Sequence, residues 1–123
     1  MAEILARARY SNDHTFDSSG VWAMTGWGMT DLAREVIAEI GIEDDGHIAR
    51  DIVPAARARE PDVVYVMTEE HLREVAVRRP DLADRTMLLD PDGSDIADPY
   101  GGTLDDYRVA RDHILEALEA RLA

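Results

Sequence analysis

The chain has 123 residues, a formal net charge of −13, 46% hydrophobic residues and no cysteine. That length supports one domain around one core, and the apolar content is too high for intrinsic disorder despite the charge. The acidity disfavours nucleic acid and anionic membrane as partners, and the lack of cysteine excludes disulfides, thiolate metal sites and thiolate catalysis within these residues.

No apolar run approaches the roughly 20 residues of a membrane span. The start, Met1-Ala2-Glu3, reads as the opening of an amphipathic helix and not as a signal peptide, so a cytoplasmic protein is expected.

Residues 1–10 place Ile4, Leu5, Ala8 and Arg9 at helical spacing, and Ser11-Asn12-Asp13 ends that run. A short strand is expected over 14–18, followed by a loop through Met29 rich in glycine and tryptophan. Thr30 is a good N-cap for a helix from Asp31 to Ile40, with Leu32, Val36, Ile37 and Ile40 on one face and Gly41 at the C-terminal cap. A second extended piece over 47–53 and a weak helix over 54–59 come next. Val63 to Met67 is the clearest strand, apolar throughout as a strand covered on both faces should be. Thr68 caps a helix with Glu69 and Glu70 in its first turn, and residues 86–89 form a further strand. Thr103 caps the final helix, whose buried stripe is Leu104, Tyr107, Ala110, Ile114, Leu118 and Leu122. This alternation predicts one parallel α/β domain over 1–123, in which ligands bind beyond the carboxyl ends of the strands. Those ends are the 17–28 loop, Met67-Thr68 and the 90–102 loop.

The segment Asp98-Pro99-Tyr100-Gly101-Gly102 carries the most chemistry. Pro99 fixes its own φ and pushes Asp98 into an extended conformation, while the glycines permit a sharp exit. Asp98 can be read as a general acid or as the first residue of an ordinary Asx turn. Tyr100 can wall a pocket or sit half-buried in a loop. Trp22 and Trp27 line a cleft or anchor their loop to the core. His47 is an orienting hydrogen-bond donor or a surface histidine. The acidic run 90–95 lacks the glycine and glutamate positions of a calcium loop, and His14, His47, His71 and His113 have no ligand spacing, so no metal is expected. Phosphate-binding glycine motifs and a serine elbow are absent, and no cofactor is expected.

Taken in order, several stretches resemble the low-molecular-weight protein tyrosine phosphatase family. They are Met1-Ala2-Glu3 opening a helix, Asp17-Ser18-Ser19-Gly20-Val21, and Gly41-Ile42 followed by His47-Ile48-Ala49-Arg50. After these come Asp62-Val63-Val64-Tyr65-Val66-Met67-Thr68 with His71, and Asp98-Pro99-Tyr100-Gly101-Gly102 before the last helix. The Met-Thr-x-x-His pattern and the ending through Tyr107 and Arg111 lean toward the bacterial branch that includes protein arginine phosphatases.

The resemblance implies a three-layer fold, a parallel sheet flanked by helices. It also implies a C-x5-R phosphate loop whose thiolate attacks phosphorus. On the same ground Asp98 is the general acid, Tyr100 and Trp22 are pocket walls, and Ser18 and His47 brace the phosphate loop. The substrate would be a phosphorylated protein, on tyrosine or arginine, or a small phosphoester. The loop that carries the nucleophile and the arginine precedes the methionine that matches Met1, and so does the family's central first strand. The expected protein is therefore a shortened copy, or one whose start was set at an internal methionine, and is inactive by itself. A catalytically dead binding or regulatory module is the alternative, and an arsenate reductase relative the third reading. A missing central strand would leave backbone groups unpaired at about 1–3 kcal/mol each, against a total stability of about 5–15 kcal/mol. Poor folding, or a homodimer that fills the slot, is expected.

Overall fold

Three threonines set the helix starts of this protein, in which a computed structural model describes residues 1–20, 28–44, 46 and 61–123. Thr30 accepts from the Ala33 N–H (3.3 Å) and opens α2, Asp31–Ala38; Thr68 accepts from the His71 N–H (3.1 Å) and opens α3, Glu69–Arg78. Thr103 opens α4, Leu104–Leu122, with a full capping box: its hydroxyl accepts from the Asp106 N–H, and Asp106 Oδ2 accepts from the Thr103 N–H. Such caps satisfy amide groups that no helical carbonyl can reach.

The first helix, α1, spans Ala2–Tyr10 and buries Ile4, Leu5 and Ala6, while Ala8 and Arg9 face solvent. Helix α2 stops two residues before the expected Ile40. Gly41, at φ 80°, lets its N–H reach the Ala38 carbonyl and the Ile42 N–H reach that of Ile37, a paired closure that needs a left-handed residue at this point.

The strands are short. β1, Val64–Val66, pairs in parallel with β2, Thr86–Leu88, with Tyr65 opposite Met87. Between them run α3 and a 3₁₀ turn over Pro80–Arg85 that the sequence reading did not anticipate. Val66, Val75 and Leu82 form a small buried cluster on one face of the sheet, joined by Val64, Leu72 and Leu88. Tyr65, Met67 and Leu89 turn to the other face and join the main core with α1, α2 and α4. The sheet is thus covered on both faces, and the architecture is the expected three-layer α/β fold.

Residues 14–18 do not form the strand expected of them. They carry no ladder, and Gly20 makes only an isolated bridge. The Phe16 carbonyl accepts from Arg7 Nη2 at 3.2 Å, so a side chain of α1 takes the place of a strand neighbour. The strand and helix expected over 47–59, with Trp22, Trp27 and His47, lie outside the described residues. On β1, the pairing to β2 uses groups of Val64 and Val66, since the Leu89 N–H reaches the Val66 carbonyl at 2.8 Å. Alternation in a parallel ladder directs the Tyr65 N–H and C=O to the opposite edge, where no described strand pairs with it.

All 13 basic residues are arginine. Two of them tie α4 to the end of α2. Arg108 Nη2 and Arg111 Nη1 each lie 2.7 Å from one oxygen of Glu39, and Arg111 Nη1 also donates to the Val36 carbonyl at 2.9 Å. The Arg108 hydrogen bond, with help from Arg111, holds the Glu39 carboxyl below its ordinary value, and the Asp112 hydrogen bond, with help from Glu39, holds Arg111 above its own. A carboxyl lowered on folding stabilises the fold above its unfolded value and loses that contribution as pH falls through the folded one. Thermal melts of wild type and Glu39→Gln should therefore differ at pH 7 in favour of wild type. The gap should close as pH falls below the ordinary glutamate value of 4.5. A gap that is constant with pH would show that Glu39 acts through packing alone.

Candidate functional site

The loop joining β2 to α4 is built by a succession of short turns. Leu89, 1% exposed, ends the strand inside the main core. Asp90 then folds the chain back: its Oδ1 accepts from the Asp92 N–H at 2.8 Å, its carbonyl from the Gly93 N–H at 3.1 Å, and Gly93 has φ 83°. The acidic run 90–95 is a turn, as its glycine position predicts. Among the described residues no group of three histidine, cysteine or carboxylate side chains is placed to hold a metal.

Two anchors fix the middle of the loop. Asp95 Oδ1 accepts from the Glu69 N–H (2.9 Å), capping the first turn of α3, and the Ile96 N–H donates to the Met67 carbonyl (2.9 Å) while its side chain is 2% exposed. Asp98 follows two residues later, exposed, with Oδ1 accepting from the Tyr100 N–H at 3.0 Å. The Gly102 N–H closes a turn on the Pro99 carbonyl at 2.8 Å, and Gly101 takes the positive φ (82°) that a type II turn demands at its third position. Tyr100 is left 59% exposed.

This loop and α4 enclose an open groove of about 410 Å³. Asp95, Asp98 and Asp106 supply its carboxylates, Pro99, Tyr100 and Val109 most of its apolar wall, and His113 its inner end. No arginine is among the lining residues. The three carboxylates disfavour a phosphate dianion inside the groove.

Of the residues singled out from sequence, Asp98 and Tyr100 are brought together here. Ser18 does not line the groove; its hydroxyl donates to Glu3 Oε1 at 2.7 Å, a nearly buried carboxylate on α1 that also pairs with Arg7. Trp22 and His47 lie outside the described residues. The sequence reading missed the contact between His113 Nε2 and Asp90 Oδ2, at 2.7 Å. The one signal for it was the place of His113 beside Ile114, at the margin of the buried stripe of α4.

Gly102 has the narrowest tolerance in the loop. A Cβ there would lie 2.5 Å from Asp106 Oδ2 and 2.9 Å from the Pro99 carbonyl, the groups that cap α4 and close the turn. Overpacking of this kind costs about 1–3 kcal/mol. Gly102→Ala should lower the denaturation midpoint accordingly, and a variant as stable as wild type would show that the loop relaxes freely.

Comparison with known proteins agrees with this architecture. The sequence model of the low molecular weight phosphotyrosine protein phosphatase family matches residues 1–123. A protein-arginine-phosphatase of Geobacillus stearothermophilus is 36% identical over 114 residues, covering 86% of this chain and 72% of that protein. The solved structure of the YwlE arginine phosphatase of Geobacillus stearothermophilus superposes with a TM-score of 0.85 at 28% identity, covering 98% of this chain and 80% of that one. The tyrosine phosphatase AmsI of Erwinia amylovora superposes with a TM-score of 0.85 at 27% identity, covering 96% and 78%. The fold is thus matched along nearly all of this chain, and the chain belongs to the low molecular weight phosphotyrosine protein phosphatase family.

Proposed function

We propose that this domain serves the dephosphorylation of proteins, on phosphotyrosine or phosphoarginine, with Asp98 as the general acid. One observation carries the reading: Asp98 stands exposed on a turn closed by one backbone hydrogen bond and by one to its own carboxylate, at the rim of a groove walled by Tyr100. In the family reaction a thiolate attacks phosphorus in line with the leaving atom. As the bond from phosphorus to that atom breaks, the Asp98 carboxyl gives it a proton. The resulting carboxylate then takes a proton from the water that attacks the phosphoenzyme and releases phosphate. Tyr100 packs against the substrate side chain. The turn restrains the carboxyl, which supports an acid that needs little further ordering in the transition state. We read Ser18, His47 and Trp22 as supports of the phosphate site and its wall, and the cytoplasm as the compartment.

The 123 residues contain no cysteine, so they do not supply the thiolate. That fact favours a second reading, a catalytically silent module that binds phosphorylated partners. Hydrolysis of a phosphotyrosine peptide separates the two. The chain alone should show no turnover above background. A version extended before Met1 by a strand and a C-x5-R loop should turn over, and Asp98→Asn should lower its rate by about 10²–10⁴. Turnover by the unextended chain, or indifference of the extended one to Asp98→Asn, would sink the phosphatase reading in this form.

We also read the edge of β1 with which no described strand pairs as the seat of a homodimer, since such an edge invites a second strand. Sedimentation equilibrium of the 123-residue chain should give a mass that rises with concentration toward twice the monomer. A monomer mass at all concentrations removes this reading.

A further inference from the structure

We propose that His113 is the positioning residue for the loop that carries Asp98, acting through Asp90. The inference rests on the reading of Asp98 as the acid, but its observations are separate.

One carboxylate joins two elements here. Asp90 Oδ1 is committed to the Asp92 N–H at 2.8 Å, and Oδ2 lies 2.7 Å from His113 Nε2 on α4. The side chains are only 12% and 30% exposed, so water competes weakly for the contact. An ionised carboxylate can only accept, so Nε2 carries the hydrogen in both the neutral and the cationic imidazole. The second proton enters at Nδ1 and makes the bond charge-assisted. The His113 bond, then the Asp92 amide, holds the Asp90 carboxyl below its ordinary value against the cost of desolvation. Arg121, further along α4, adds in the same direction.

The loop from Asp90 to Gly102 has three side-chain or backbone anchors outside itself: His113, the Glu69 amide and the Met67 carbonyl. The last two are local to the end of β1 and the start of α3. Of the three, only His113 belongs to α4, which forms the other wall of the groove. Releasing it would leave the loop's polar anchors only on the β1 and α3 side, free to shift relative to that wall.

Hydrogen exchange on the intact chain tests this, read at the bonded amides of Asp92, Gly93, Ile96, Tyr100 and Gly102. His113→Ala should speed their exchange about tenfold, with α1 and α2 amides unchanged within about twofold. His113→Gln, which keeps a donor, should stay near wild type. Asp90→Asn keeps the acceptor for Asp92 but removes the carboxylate, and should speed exchange at the same amides. Unchanged loop exchange in His113→Ala, or an equal increase in every helix, overturns the proposal. If His113→Ala proves too unstable to measure, Asp90→Asn decides, and unchanged loop exchange in it overturns the proposal. A failure of Asp98→Asn to slow the extended enzyme would remove the acid role and leave these exchange results untouched.

Discussion

Burial of one face of α4 is the constraint on which the rest of this protein depends. Tyr107, Ile114, Ala117 and Leu118 close the main core against α1, α2 and the end of β2. The polar contacts follow the margins of that face. Glu39 of α2 meets Arg108 and Arg111, the Asp90 turn meets His113, and the Leu88 and Leu89 carbonyls meet Arg121, which also lies 5.5 Å from the centre of the Tyr65 ring. Apolar burial supplies most of the driving force, and the margin contacts set where along the helix each partner sits.

That arrangement explains how a strongly acidic domain can present a defined carboxylate. A net charge of −13 would by itself push the acidic turns apart. Each acid in the 90–102 loop that is not left in solvent is instead given a fixed donor. Asp90 takes a backbone amide and an imidazole and Asp95 the first amide of α3, while Asp106, on α4 beside the loop, takes the amide of Thr103. Asp98 spends one oxygen on the Tyr100 amide, inside its own turn. It is the member of this set whose donor comes from its own turn alone.

Local chemistry was legible in the sequence and distant chemistry was not. Thr30, Thr68 and Thr103 announced their helices because a cap needs only a hydroxyl and an amide three residues on. The apolar run at 63–67 announced β1 for the same reason: its neighbours on both faces are recorded as its own hydrophobicity. The 14–18 segment has comparable alternation, yet a strand exists only beside another, and here Arg7 occupies the Phe16 carbonyl. Asp98 and Tyr100 were found because Pro99 and the glycines around them are local signals. His113 and Asp90, 23 residues apart, were not, because only the packing of α4 on β2 brings them together.

The arginine clamps have one more consequence. Each spreads a planar, permanently charged group over two or more acceptors, as Arg108 does on Glu39 and Asp105 and Arg121 does on two successive carbonyls. An ammonium could not cover the same acceptors, and within these 123 residues no lysine is used anywhere. The surface therefore offers no side-chain amine. Lysine acetylation, ubiquitin attachment through lysine and aldehyde cross-linking through lysine all lack a target within these 123 residues.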